Sequence, residues 1–323
     1  MAWLRAGNGM GGEGGLVTEG PKSFRTEPRY QLLQLLHYQG ELALKNLPGL
    51  SPKTHQAHER RLINRLVQES PVRLGAILHQ LAEEGLVENG SAWTLTSRGY
   101  YQAYNLCEFQ IQEDIGYWEV IFGQVTISQK ASILDVGAAG GFTPYVGDPR
   151  AGEANIFALD YSVESLEAGR ELAGLAGLAR VCRICGDGNA LPVGDSQMDV
   201  VICKGTLHYL DPESFLEEVR RVLKPGGILV LGVPSWKNFY QKWKMAAKRG
   251  EYRSVLRFGW ALANTVVAKV IPGGLPVKGR RIRGETLTSL RRFLKRHRLE
   301  ILYEGELKVN PAAANLIHIA RKG

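Results

Sequence analysis

Apolar residues recur along this chain with two different periods, and the change of period divides it. After residue 130 the apolar runs are short and punctuated by glycine, aspartate or lysine. They are Ala131 to Val136, Asn155 to Asp160, Val181 to Cys185, Met198 to Cys203, Ile228 to Val233, Glu300 to Leu307 and Asn315 to Ala320. Runs of this length and punctuation read as strands. Gly141 and Asp160 lie 19 residues apart, the span of one crossover helix between adjacent parallel strands.

Before residue 110 the period is helical. Arg29 to His37 and His55 to Val67 carry leucine-rich helical patterns, and Pro71 to Gly85 has apolar residues at 74, 77, 78 and 81, one face of a helix. Gly85 stops that helix. Leu86 to Leu95 then reads as a hairpin with Asn89-Gly90 in its turn.

The strand ends carry the candidate chemistry. In an open parallel sheet, ligands sit outside the carboxyl ends of the strands, near the point where strand order reverses. The first strand runs into Gly137-Ala-Ala-Gly-Gly141, where missing Cβ atoms let backbone approach a ligand. Asp160 closes the second strand, and a carboxylate there can accept from two ribose hydroxyls at once. Asp187, just past the third strand, suits an exocyclic adenine amine. Together these describe a nucleoside pocket. A dinucleotide would want Gly-x-Gly-x-x-Gly, and glycines at 137, 140 and 141 do not fit it.

The series continues with Lys204-Gly-Thr-Leu-His208 after the fourth strand, then Arg221-Val-Leu-Lys-Pro-Gly-Gly227 leading into the fifth. This order of signals resembles the class I S-adenosylmethionine (SAM)-dependent methyltransferases. The resemblance implies an α/β fold over 131–323, with a Rossmann-like, doubly wound, mainly parallel seven-stranded sheet. It implies SAM as cofactor, held by Asp135, Gly137, Ala139, Gly141, Asp160, Tyr161, Asp187, Gly188 and Lys204. Ala139 departs from the pattern, standing where the family most often has its middle glycine. The string Gly137-Ala-Ala-Gly-Gly141 also looks like the opening of RNA 2′-O-methyltransferases, but no matching Lys-Asp-Lys-Glu set is present.

The segment 25–110, three helices and a hairpin, has the winged-helix pattern, and 111–130 reads as a linker helix. Leu74 to Gly99 looks like the dimerisation domain that precedes the catalytic domain in many small-molecule O-methyltransferases, which implies a homodimer through this unit. DNA-binding regulators share the pattern. A base-reading helix should be basic on its exposed face; this one offers Arg73, His79 and Gln80, followed by Glu83 and Glu84, poor equipment for approaching phosphates.

Composition limits the remaining classes. Residues 1–24 are glycine-rich, without an apolar core of signal-peptide length, and read as a disordered tail. The longest apolar stretch, Phe258 to Ile271, is 14 residues and contains Asn264 and Lys269, too short and polar to span a bilayer. Cys182 and Cys185 point to opposite faces of a strand, and no second pair exists, so no zinc site or other metal site is expected. Four cysteines and no export signal make a cytoplasmic setting the expectation.

Charge is uneven. Lys237 to Arg298 holds 17 Lys or Arg against Glu251 and Glu285, a net of +15 that leaves −7 for the rest of a +8 chain. Within it, 236–284 reads as a basic lid inserted over the substrate side of the pocket. Trp236, Phe239, Tyr240, Trp243 and Ala247 form one helical stripe, with Lys237, Lys242, Lys248 and Arg249 on other faces. Such a helix can lie peripherally on an anionic membrane surface or pack its stripe on its own domain. Trp236, Tyr240, Trp243, Arg280 and Arg281 are the candidate substrate or lid residues; the cluster from Lys278 to Arg283 suits an anionic substrate group, lipid head groups or RNA.

The sulfonium of SAM carries an activated methyl group, so the protein supplies alignment and excludes water. His208 is placed to deprotonate a phenol or enol, with Tyr145 and Tyr209 as weaker pocket candidates. His318, on the last strand, reads as structural. Two functional classes result: methylation of a small apolar or amphiphilic metabolite, with O-methylation favoured, or a nucleic-acid protein. The latter would be an RNA methyltransferase or a winged-helix regulator with a SAM-binding domain. Asn/Asp-Pro-Pro-Tyr/Phe, usual for exocyclic base nitrogens, is absent after the fourth strand, where Cys203-Lys-Gly-Thr206 stands; nucleic acid is the disfavoured partner.

Overall fold

Four leucines in five residues, Leu32, Leu33, Leu35 and Leu36, are fully buried in α1 (Pro28–Gln39), and a helix this apolar must be covered on all sides. The computed structural model describes residues 26–53, 57–114, 120–121, 123–128, 130–141, 154–175, 181–248, 250–267, 286–310 and 313–323. The expected tail over 1–24, Tyr145, Arg280, Arg281 and the cluster from Lys278 to Arg283 lie outside those residues; of the expected 111–130 linker helix, 115–119, 122 and 129 lie outside, and 123–128 are turn and irregular chain rather than helix.

Around α1 come β1 (Glu41–Leu42), a 3-10 segment (Leu44–Gly49), α2 (Ala57–Leu66), α3 (Pro71–Glu83) and the hairpin β2 (Val87–Asn89) and β3 (Trp93–Leu95). The strands form a small antiparallel sheet in the order β1-β3-β2. Asn89 pairs with Trp93, so the turn is Gly90-Ser91-Ala92 rather than Asn89-Gly90. Asn89 stays in the ladder because its partner Trp93 is buried in the core, and Gly90 N–H closes the loop on the Ala92 carbonyl (3.1 Å). The next helix, α4 (Ser97–Asp114), runs across the boundary expected at residue 110.

The main sheet comprises β4 (Ser132–Val136), β5 (Asn155–Asp160), β6 (Val181–Cys185), β7 (Met198–Lys204), β8 (Leu223–Pro234), β9 (Leu299–Asn310) and β10 (Ala313–Lys322). Its order is β6-β5-β4-β7-β8-β10-β9, parallel from β6 to β8 and antiparallel through β10 and β9. The strands are connected by α5 (Val163–Leu175), α6 (Pro212–Val222), α7 (Trp236–Lys248), α8 (Tyr252–Val267) and α9 (Leu287–Arg296). Alternate residues of a strand face opposite sides, and the cores follow that rule. Leu134, Val136, Val201 and Leu229 join Phe215 of α6 and Leu290 of α9, while Ile133, Ile202, Val230 and Ile317 line the other face.

Strand order reverses at β4, which has β5 on one side and β7 on the other. That places a crevice above the carboxyl ends of β4 and β7. β8 begins at Leu223 rather than Ile228; a register shift against β7 and a left-handed Gly226 (φ +76°) carry the ladder through the Lys-Pro-Gly-Gly turn.

Candidate functional site

At the end of β4 the chain turns sharply, and Gly137 adopts φ +72°. A Cβ there would lie 2.0 Å from Thr206 Oγ1, so the β4 and β7 turns meet backbone to side chain with no room for a methyl group. Ala139 is also left-handed, at φ +48°, a conformation that costs an L-residue roughly 1–2 kcal/mol. Its N–H donates to Asp160 Oδ2 at 2.9 Å, and Ser162 N–H donates to Asp160 Oδ1 at 2.9 Å. Asp160 thus ties the β4 turn to the β5 turn, and each carboxylate oxygen keeps acceptor capacity for a hydroxyl. Tyr161 beside it is exposed.

From behind, α5 presses on this turn. A Cβ on Gly169 would meet Gly140 Cα at 2.1 Å, so Gly169 sets the height of the turn over the crevice. Asp187 accepts from the backbone and side-chain nitrogens of Asn189, both at 2.9 Å, and Asn189 Oδ1 accepts from Asp211 N–H at 2.8 Å. Asp211 in turn caps α6, which fixes the β6 turn against the β7 turn. Gly188 is held close to Val136 and Leu210. Asp135 is buried, one residue before the end of β4.

Aromatic rings and one ion pair line the other half of the crevice. Lys204 Nζ lies 3.2 Å from Glu108 Oε2, and the lysine side chain is only 12% exposed. Glu108 comes from α4, so the N-terminal unit supplies a carboxylate at the end of a sheet strand. Glu108, aided by burial, pushes the phenol of Tyr104 upward; Tyr209, Tyr100 and Asp160 act in the same direction. Burial pushes His37 downward, which keeps the imidazole neutral. Its ring lies 5.2 Å from Tyr100 and 5.9 Å from Tyr104. His208 sits in a 3-10 turn (Leu207–Tyr209), its ring 4.0 Å from Tyr209 and edge-on to Phe239 at 6.1 Å.

The structure divides the aromatic stripe expected on α7. Phe239 is buried with its ring edge-on to His208, and Ala246 is also buried, while Trp236 and Tyr240 are each 42% exposed. The reason is that α7 lies between strands β8 and β10 on one side and α8 on the other, so its inward line runs through Phe239 and Ala246. Trp243 stacks on Tyr240 (6.2 Å) and rests over Gly259 of α8.

The strand ends thus bring together Asp160, Asp187, Lys204, His208 and the β4 turn. Glu108, Tyr104, Gly169 and Asn189 also shape the crevice, and sequence reasoning passed over them. The α4 residues come from a distant helix that carries no motif; the tight Gly169 was signalled only as a glycine within a helical run. Cys182 and Cys185 are both exposed on the edge strand β6. Among the described residues no cluster of three His, Cys, Asp or Glu could hold a metal ion, and no helix is long and apolar enough to cross a membrane.

Comparison with known proteins agrees with this geometry. Residues 134–231, from β4 to β8, match the family model described as a methyltransferase domain. Over 130 residues the chain is 32% identical to a demethylmenaquinone methyltransferase of Paenarthrobacter aurescens (strain TC1), covering 38% of this chain and 48% of that protein. Over 132 residues it is 31% identical to 2-methyl-6-phytyl-1,4-hydroquinone methyltransferase 2, chloroplastic, of Oryza sativa subsp. japonica, covering 39% and 37%. The chain therefore spans about half, or less, of the length of these curated relatives. Among solved structures, a SAM dependent methyltransferase from Aquifex aeolicus aligns with TM-score 0.44 and 18% identity, covering 67% of this chain and 98% of that one. Residues 134–231 are thus similar to a methyltransferase domain and lie on a Rossmann-like, mainly parallel seven-stranded sheet.

Proposed function

We propose that this chain transfers a methyl group from SAM to a small aromatic amphiphile of the phenol or hydroquinone type. The observation that carries the reading is the make-up of the crevice above β7. It is walled by rings, those of Tyr104, His208 and Tyr209, around the half-buried Lys204–Glu108 ion pair. Rings favour a flat apolar body, and the polar tips suit one or two hydroxyls. The names of the two relatives, a demethylmenaquinone and a phytyl-hydroquinone enzyme, support the same class of acceptor.

The residues present fit the cofactor. The left-handed Gly137 seats the β4 turn directly against Thr206 at the crevice floor, Asp160 retains acceptor capacity for ribose hydroxyls, and Asp187 offers an acceptor for an adenine amine. When bound, SAM supplies an electrophilic methyl group. A phenol must lose its proton before its oxygen or an adjacent ring carbon can attack. His208 is the residue we assign to that step, steadied by Tyr209 and Phe239. Lys204, paired with Glu108, would hold the resulting phenolate by its charge.

We read the N-terminal unit, helix-strand-helix-helix-hairpin, as a winged helix that covers the site. Arg73 on α3 is already paired with Glu69, and Glu84 at its end holds Arg29. This argues against a surface waiting for phosphates.

Calorimetric titration with S-adenosylhomocysteine, beside an Asp160→Ala variant, tests the cofactor site. Radiolabelled SAM offered to hydroquinones then tests the acceptor. Binding lost in the variant and label in a hydroquinone product are the expected results. Binding without transfer to any phenol or hydroquinone would sink the acceptor reading.

A further inference from the structure

Among the described residues, 13 large apolar or aromatic side chains are exposed, and six of them stand on two consecutive helices: Trp236 and Tyr240 on α7, and Tyr252, Leu256, Trp260 and Val266 on α8. The exposures on α8 are 67% for Tyr252, 71% for Leu256, 41% for Trp260 and 62% for Val266. With Ala263 they fall within an arc of about 120° on the helix. Its opposite side is buried at Ala261 and Asn264. The helix is therefore amphipathic twice over, with one apolar line packed inside and a second line facing out.

Charge identifies what that outer line faces. Residues 236–267 hold seven Lys or Arg against Glu251 alone. Arg253 and Arg257 flank the exposed stripe directly, and both are exposed. Aliphatic and aromatic side chains sharing one exposed arc, with cations at its border, is the arrangement of a helix lying in a membrane interface. A second copy of the chain is disfavoured as the occupant, since pairing the face with itself would set cations against cations.

We propose that the exposed face of α8, extended by Trp236 and Tyr240 of α7, docks on an anionic lipid bilayer. The docking face adjoins the acceptor side of the crevice. α8 packs along α7, whose Phe239 lies edge-on to His208 at 6.1 Å. A docked enzyme would thus meet a lipid-dissolved acceptor beside the site that consumes it. The docking itself does not depend on which acceptor is used.

The test is co-sedimentation of the full chain with vesicles of phosphatidylcholine alone and with phosphatidylglycerol added. We expect pelleting only with the anionic vesicles, and release at raised salt. In Leu256→Glu/Trp260→Glu, affinity should fall at least about ten-fold. In Arg253→Gln/Arg257→Gln, which leaves the apolar stripe intact, it should fall by about five-fold per cation removed. S-adenosylhomocysteine binding, measured in parallel, should stay unchanged in both. Absence of pelleting, or pelleting unaffected by either variant, overturns the proposal. So does a dimer that Leu256→Glu/Trp260→Glu converts to monomer in light scattering, which would make the face an interface between copies. Vesicle binding without cofactor binding would sustain the docking and remove the methyltransferase reading instead.

Discussion

The two halves of the crevice are built by opposite means. On the cofactor side, above β4 and β5, shape comes from backbone: Gly137 without room for a methyl group, Ala139 left-handed, Gly169 against Gly140, and Asp160 bonded to two N–H groups. On the acceptor side, above β7, it comes from side chains of α4, α7 and the 204–210 loop, resting on one another by ring contacts and one ion pair. A backbone-built site tolerates almost no change and recognises one ligand. A side-chain-built site can change its lining while the fold stays put, which suits acceptor choice.

The sharpest break should come from Gly137→Ala. A left-handed alanine colliding with Thr206 should cost about 3 kcal/mol of stability and lower S-adenosylhomocysteine affinity about a hundred-fold by calorimetry. Adding Thr206→Gly should recover part of both. Next, Asp160→Asn keeps the shape but loses charge-assisted bonds worth about 1.5–3 kcal/mol, so affinity should fall between about ten- and a hundred-fold while acceptor KM barely moves.

The sheet beneath both halves offers a comparison of similar size. His318 on β10 is fully buried 3.7 Å from Glu304, and burial lowers its pKa from the usual 6.5 to about 4. The unfolded chain takes up the proton first, so stability is complete above about pH 6.5 and falls as pH drops toward 4, by up to about 3 kcal/mol. Thermal melts across that range should show the loss, and His318→Gln should flatten it.

On the acceptor side, Glu108→Gln should raise acceptor KM about five-fold, with stability changing by less than about 1 kcal/mol and cofactor affinity unchanged. An equal effect on cofactor affinity would mean the two halves are not separable. The smallest change expected is a gain: Ala139→Gly removes left-handed strain and should stabilise by about 0.5–1 kcal/mol.

The same contrast governs what could be read from the sequence. The β4 turn, Asp160 and Asp187 were legible because strand, turn and carboxylate follow one another in the chain at spacings the sheet requires. Glu108 was not, since it meets Lys204 across 96 residues and no local pattern marks a helix for its neighbour in space. The aromatic run of α7 was legible as a helix, but periodicity cannot say which line faces inward when two partners compete; Phe239 went in and Tyr240 stayed out. In α8 the sequence showed an apolar stretch too short to span a bilayer. Its sidedness became visible only once Ala261 and Asn264 were seen packed beneath it.

One feature of α4 bears on how such chains can change over time. Arg98 and Gln102 hold Glu171, Asn105 holds the Ser165 carbonyl, and Glu108 holds Lys204. These four positions fall within about 120° of the helix circumference, so a single strip of α4 engages two separate elements of the sheet unit in phase. Deleting or inserting one residue between Arg98 and Glu108 would rotate everything beyond it by about 100° and bring the wrong side chains to Lys204. Length drift is therefore barred from this helix except in steps of about seven residues, while point substitutions on its other face are free. Related chains should conserve the length of α4 more strictly than its composition.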